Sequence, residues 1–303
     1  TCIHRNRAWV AIQKNRSLSG GGYMEKTLVL VPDASLYFFG SYAGTEVTFA
    51  SVFRKNERLL NATRRVVSCA SRPFYGSWYG EIGSYSRIVV MDVACLADKN
   101  LLRNIRRKAT IDALFLYSWN INLSPDQLFT IVNQSDCYGF KRYSYDEGFC
   151  SKHGFHFNSI MFDSSVKCPP CKDSHTVLFL GFAKDRISTL ISAKKLLDAS
   201  GAATDFTVVG DSGRRGQDEG IRYTTNYVSY ADYLRHLFSS AAILDVAQGG
   251  QIGYSMRVME ALFYDRKLIS TNRNIGNASF FSSGNVFLLD PARTTAAELM
   301  AFM

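Results

Sequence analysis

The residues best suited to chemistry lie together in one stretch, from Ile243 to Leu262. A continuous apolar run ends at Asp245. A loop containing Gln248, Gly249, Gly250 and Gly253 follows, and a helix begins near Ser255. Glycines allow a tight turn and a close backbone approach, and a helix N-terminus offers unpaired N–H groups and partial positive charge to a phosphate. Arg257 in the first turn can add a charged fork to a diphosphate. Glu260 lies three residues further on the same helix face, where a carboxylate can accept both hydroxyls of a ribose. The same residues fit a plain glycine turn followed by an Arg257–Glu260 helix pair equally well.

A second stretch has related chemistry. Leu180-Gly181-Phe-Ala-Lys184-Asp-Arg186 also follows an apolar run and opens a helix, so Lys184 and Arg186 could reach the same diphosphate. One glycine with two basic residues is equally the pattern of a solvated helix start. Asp33 and Asp92 each follow an apolar run and are candidates for a general base; a helix-cap or turn role is the ordinary alternative. Cys150-x2-His153 and Cys168-x2-Cys171 have the spacing of structural zinc ligands. The strand-and-loop pattern of residues 154–166 and the Pro169-Pro170 pair favour an incidental grouping. Aromatic groups at Tyr37–Tyr42 and Phe74–Tyr79 could stack on an acceptor, or simply form core.

These residues need elements to hold them. Thr27–Pro32, Arg87–Met91 and Ala113–Tyr117 are short continuous apolar runs, the mark of strands buried on both faces. Glu46–Leu60, Leu96–Lys108 and a segment starting at Pro125 behind a Ser124 cap read as helices. After the polar, proline-bearing Lys167–Asp173 the alternation starts again. Thr176–Leu180, Phe206–Val209, Ala241–Val246, Lys267–Ser270 and Val286–Leu289 read as strands. Arg186–Ala199, Tyr230–Phe238 and Ser255–Phe263 read as helices, and Arg214–Gln217 as a polar loop. The expected fold is α/β, with two doubly wound, Rossmann-like parallel-sheet domains facing each other across a cleft. They span 24–166 and 174–303, joined by a 167–173 linker. The basic 1–23 segment reads as a leader outside the fold, with Met24 a candidate start.

The chain has 303 residues and a net charge of +9, which favours anionic partners. Its basic residues are dispersed, and no helix-turn-helix, RNA-recognition or zinc-finger pattern is present, so nucleic acid is not expected as a partner. An odd count of seven cysteines without an export signal points to reduced thiols and a cytoplasmic setting. No apolar run reaches the ~18 residues of a transmembrane helix.

The stretch ILDVAQGGQIGYSMRVMEALFYDRKLISTN resembles the donor-binding segment of GT-B glycosyltransferases, closest to the bacterial lipopolysaccharide-core, O-antigen and capsule branch related to CgeB-like proteins. Gly253, Ser255, Met256, Arg257, Glu260, Ala261, Lys267, Leu268, Ile269, Thr271 and Asn272 carry the match, supported by Tyr143–Asn158 and Val177–Arg186. The resemblance implies sugar transfer from a nucleotide-sugar donor to a glycan or lipid-linked acceptor, without metal or cofactor, by a hexosyl-type transferase. It places the nucleotide on the C-terminal domain and the acceptor on the N-terminal one. It also implies that Glu260 binds ribose. Gly181, Lys184, Arg186, Gln248, Gly249, Gly253, Ser255 and Arg257 would surround the donor, and Asp33 or Asp92 would serve as base. Many retaining members carry a carboxylate eight residues before the ribose glutamate; Ile252 stands there in this chain. The long crossing-back C-terminal helix of the fold is not expected before Met303. A basic helix at Arg103–Lys108 could rest on the anionic inner face of a membrane. A non-catalytic nucleotide-sugar-binding protein of the same fold is the alternative.

Overall fold

A computed structural model describes residues 26–32, 46–54, 71–160, 162, 169, 175–182, 184–210, 216–226 and 228–303. The chain divides into two compact units that meet between residues 165 and 166. Residues 1–24, Asp33, the 37–42 aromatics, Cys168 and Cys171 lie outside the described residues, as does the 167–173 segment apart from Pro169.

In the N-terminal unit β1 (Thr27–Val31), β3 (Arg87–Met91) and β4 (Leu114–Ser118) form the buried centre of a parallel sheet. With β2 (Val47–Ser51), β5 (Lys141–Ser144) and β6 (His156–Phe157) its order is β2-β1-β3-β4-β5-β6. Among the described residues its α-helices are α1 (Asp92–Ala97), α2 (Leu101–Lys108), α3 (Pro125–Tyr138) and α4 (Glu147–His153). Two expectations are corrected. Val47–Ser51 was expected to be helical; it is a strand, because its β-branched and aromatic residues suit a half-buried edge lying parallel to β1. The expected Leu96–Lys108 helix is two helices, broken at residues 98–100, where Asp98 Oδ1 accepts the N–H of Asn100 at 2.9 Å. The Ser124 cap on α3 is present as a full capping box with Gln127.

In the C-terminal unit β7 (Thr176–Phe182), β8 (Ala203–Val209), β9 (Gly216–Asp218), β10 (Ile221–Thr224), β11 (Ala242–Asp245), β12 (Lys267–Ser270) and β13 (Val286–Leu288) follow in the order β13-β12-β11-β7-β8-β10-β9. All pairings are parallel except β9 with β10. The expected polar loop at Arg214–Gln217 thus ends in strand. Among the described residues four α-helices accompany the sheet: α5 (Ile187–Ala199), α6 (Tyr230–Phe238), α7 (Met256–Phe263) and α8 (Ala296–Phe302). Val177, Phe179, Val208, Leu244 and Ile269 centre its core. The chain starts this sheet at β7, builds outward through β8 and β10, then returns to the other side at β11. The order therefore reverses between β7 and β11, and the loops leaving their carboxyl ends part from one another; ligands bind at such switch points.

Candidate functional site

Both loops singled out in the sequence leave the sheet at this switch point. After β11 the chain turns through Gly250, whose φ of 76° lies in the left-handed region that glycine alone enters freely. The loop is sewn to itself and to the segment after β12. Gln251 Oε1 accepts the N–H of Gln248 at 3.2 Å, and its Nε2 donates to the Gly253 carbonyl at 3.1 Å. Asn272 Nδ2 donates to the same carbonyl at 3.1 Å, and Asn274 Nδ2 to that of Ile252 at 3.2 Å. The entry to α7 is held from below by buried Asp245. Its Oδ1 accepts the Ser255 hydroxyl at 2.7 Å and its Oδ2 the Ser270 hydroxyl at 2.8 Å. Ser255 spends its hydroxyl there, so it makes no side-chain cap on the helix it precedes.

From the first turn of α7, Arg257 reaches across to β7. Its Nη2 donates to the Leu180 carbonyl at 2.8 Å, and its guanidinium lies 4.8 Å above the Phe179 ring. Its Nε is buried without a hydrogen-bond partner among the described residues. Gly181 makes this approach feasible, since a Cβ there would collide with the guanidinium. Arg186 is buried beside it, giving one N–H to the Val246 carbonyl at 2.8 Å and another to Phe182 at 2.9 Å. It thereby ties the ends of β7 and β11 together. Lys184 has a φ of 47°. Its ammonium is held below the usual lysine range, first by desolvation and then by the positive charges of Arg186 and Arg257. Arg186 and Arg257 thus lie over the same Phe179 ring, at 5.9 and 4.8 Å, and exposed Lys184 feels the charge of both, with Asp185 the acid that offsets it.

Glu260 occupies the opposite side of Arg257 and is only 2% exposed. Its Oε1 accepts from Tyr230 at 3.2 Å, and its Oε2 accepts from Tyr233. Burial pushes its carboxyl up to about 7, against the pull of Tyr233, Arg257 and Tyr230. Both oxygens of the residue that the resemblance assigns to ribose are thus engaged by tyrosines of α6. Tyr230 and Tyr233, one helical turn apart, carried no sequence signal beyond their spacing behind the Ser229 cap.

A cavity of about 480 Å³ opens beside this cluster, walled by segments 185–189, 247–252 and 271–274. Of the expected donor residues, Arg186, Gln248 and Gly249 line it. Gly181, Lys184, Arg257 and Glu260 do not line it, and Gly253 is buried in the loop itself. Asp185, Thr189 and Asn274 also line the cavity and were not singled out from sequence.

The other expectations fare differently. Asp92 follows β3 but is fully buried. Its Oδ1 accepts the Val93 N–H at 2.8 Å, and its Oδ2 the Ser118 hydroxyl at 3.2 Å and the Asn120 N–H at 3.0 Å. Desolvation raises its carboxyl pKa. The arrangement is that of an enclosed, turn-forming acid. Tyr75 and Trp78 are core, with the Tyr75 hydroxyl on Asp98 at 2.6 Å and the Trp78 indole N–H on the Val52 carbonyl at 3.0 Å. Among the described residues no three His, Cys, Asp or Glu could share a metal, and the Cys150 thiol is turned to the Ser144 and His156 carbonyls. On α2, Arg106 pairs with Asp112 at 3.2 Å and Lys108 lies 4.4 Å from the Tyr79 ring centroid. No described helix is long and apolar enough to cross a membrane.

No family model and no curated protein sequence matches the chain. Among solved structures it is similar to Anabaena HepE in complex with UDP and glucose. The TM-score is 0.54 at 13% identity, covering 91% of this chain and 88% of that one. An α-glucosyltransferase in complex with UDP and a 13-mer DNA gives a TM-score of 0.48 at 8% identity, covering 91% and 84%. The fold is the two-sheet GT-B architecture.

Proposed function

We propose that the protein is a glycosyltransferase that moves a sugar from a nucleotide-sugar donor to a bacterial surface polysaccharide or lipid-linked acceptor. The observation that carries this reading is that Arg186 lines a ligand-sized cavity at the β7/β11 switch point, with Arg257 beside it over the same Phe179 ring. Its volume falls within the roughly 300–1,000 Å³ of small-molecule sites. In the reaction the acceptor hydroxyl attacks the anomeric carbon, the bond from that carbon to the diphosphate breaks, and the nucleoside diphosphate leaves with the bonding electrons. Negative charge grows on the leaving phosphate. Lys184, just after β7, and Arg257, in the first turn of α7, are the cations proposed to stabilise it, as preorganised charge does for a leaving group. Arg186, committed to two carbonyls, holds the two loops at the right separation.

The proton of the acceptor hydroxyl needs a base. Asp92 is enclosed, so Asp33, two residues after β1, is the proposed one. The setting proposed is cytoplasmic, at the inner face of the plasma membrane, with exposed Arg107 and its basic neighbours on α2 facing anionic lipid. The enclosure of Asp92 also sustains a second reading, a non-catalytic nucleotide-sugar binder.

Thermal shift and calorimetry with UDP-, GDP- and CMP-sugars test the first step. One class should raise the melting temperature by mass action, and Arg257→Ala should weaken that binding ten- to a hundredfold, roughly the worth of one charge-assisted contact. Equal affinity of Arg257→Ala and the unaltered protein refutes the site. Donor hydrolysis or transfer that Asp33→Asn abolishes separates the enzyme from the binder.

A further inference from the structure

We propose that Glu260 is a proton-controlled counter-ion to Arg257: held by Tyr230 and Tyr233, it sets how strongly that arginine attracts the donor's diphosphate, and donor binding draws a proton into the fold. This rests on the glycosyltransferase reading and concerns how the same site is regulated.

Glu260 and Arg257 stand three residues apart on one face of α7. No hydrogen bond among the described residues joins them. The Glu260 oxygens accept from Tyr230 at 3.2 Å and from Tyr233, and Arg257 Nη2 donates instead to the Leu180 carbonyl at 2.8 Å. Each still senses the other, since the guanidinium pulls down the carboxyl pKa that burial raises. Burial and then the Glu260 charge hold both phenols far above their ordinary range, so both stay protonated donors at neutral pH. A carboxyl group 2% exposed, bonded by neutral donors and with a cation only near by, changes charge close to neutrality, at about pH 7.

The other groups around it have different partners. From β11, Asp245 raises the Glu260 pKa, and its own oxygens accept the Ser255 and Ser270 hydroxyls. Tyr264, just beyond α7, is bonded with Tyr230. On β12, Lys267 gives its ammonium to the Phe302 and Met303 carbonyls. On α6, Asp232 pairs with Arg235, and His236 with Asp205 at 2.6 Å. Histidine is the other side-chain type that titrates near neutrality, so His236 is the control.

Below pH 7 Glu260 is neutral and leaves the charge of Arg257 uncompensated on that side; above pH 7 its carboxylate offsets that charge. An anionic ligand therefore prefers the protonated form, and by reciprocity its binding raises the carboxyl pKa. A coupling of about fivefold, the low end of the usual range, raises the dissociation constant about threefold from pH 6 to pH 8. It also takes up about 0.4 proton per donor bound at pH 7.4.

Calorimetry on the full chain with UDP-glucose and GDP-mannose tests this. Both diphosphates are esterified at each end, so they lack the second phosphate ionisation that a monoester shows near pH 6, and the ligand's charge is constant. The Kd should rise about threefold between pH 6 and pH 8, and titrations at pH 7.4 in buffers of different ionisation enthalpy should register the proton uptake. Glu260→Gln, neutral at every pH, should bind as the unaltered protein does at pH 6, with no pH dependence and no uptake. Tyr230→Phe removes one donor to the carboxylate and should move the midpoint of the profile above pH 7. His236→Asn should leave the profile in place. A flat profile without proton uptake in the unaltered protein overturns the inference, as does a profile that persists in Glu260→Gln or disappears in His236→Asn. A Glu260→Gln variant that binds more weakly at both pH values, as loss of a direct ligand contact would make it, overturns it too; in each of these cases the glycosyltransferase reading stands. Failure of both donors to bind at any pH overturns the diphosphate site itself, and that reading with it.

Discussion

Glu260 provides the sharpest quantitative test of the site. In the unfolded chain its carboxyl ionises near 4.5; in the folded chain burial raises it to about 7. Between those pH values the native state holds a proton that the unfolded chain has already released. Stability therefore falls as pH rises through this window and is lowest above pH 7. At roughly 1.36 kcal/mol per pH unit the full cost is about 3 kcal/mol. The two tyrosine bonds and Arg257 are already included, because they are what keeps the carboxyl from rising further. Glu260→Gln keeps the shape and cannot ionise. Urea or thermal unfolding of both proteins at pH 4.5 and pH 8 isolates the cost of the charge: any constant loss from altered hydrogen bonds cancels between the two pH values. The difference, variant minus unaltered, should grow by about 3 kcal/mol from the lower to the higher pH, a change in melting temperature of roughly 6–12 °C for the C-terminal unit. A difference that does not change with pH would show that Glu260 is not enclosed as described. A buried carboxylate that weakens the fold at neutral pH beside a cation cluster is the kind of cost found at functional sites. Its charge opposes that of Arg257, so the same variant should bind nucleotide-sugar no more weakly, and up to several-fold more tightly, at pH 8.

Three further outcomes follow from named contacts. Gly181→Ala places a methyl group against the Arg257 guanidinium and should lower donor affinity about as much as Arg257→Ala, with the circular dichroism spectrum unchanged. Asp92→Asn leaves at least one buried donor without an acceptor and should lower the urea midpoint by the equivalent of about 1–3 kcal/mol. Nucleotide affinity, measured calorimetrically, should stay the same, because Asp92 belongs to the N-terminal unit. Asp245→Ala frees the Ser255 and Ser270 hydroxyls, and should both destabilise the C-terminal unit and weaken nucleotide binding, which thermal shift with and without donor separates.

How much of this was legible beforehand depends on the range of the interaction that decides each feature. Strands such as Leu114–Ser118 and Ala242–Asp245 announce themselves because burial on both faces requires continuous apolar sequence. Val47–Ser51 does not: as an edge strand it is only partly covered, so its composition stays ambiguous and its partner β1 decides. Ile221–Thr224 does alternate, with Ile221 and Tyr223 buried and Arg222 exposed, but four residues are too few to stand out from the turn before them. The glycine loop and Arg257 were readable because their chemistry is local to one turn and one helix start. Glu260 is readable as a functional type, but its two tyrosine partners are not, because Tyr230 and Tyr233 arrive from a helix that precedes β11. The same limit explains Asp92 and Asp185. Both are aspartates a residue or a few beyond a strand, indistinguishable by position. Ser118 and Asn120 donate across from the end of β4 and enclose the first, whereas no described residue donates to the second. A carboxylate's role at the end of a parallel strand is therefore set by what the neighbouring strand's end donates to it. At a switch point the neighbouring loops diverge, and Asp185, which follows β7 there, stands on the cavity wall where a ligand can reach it.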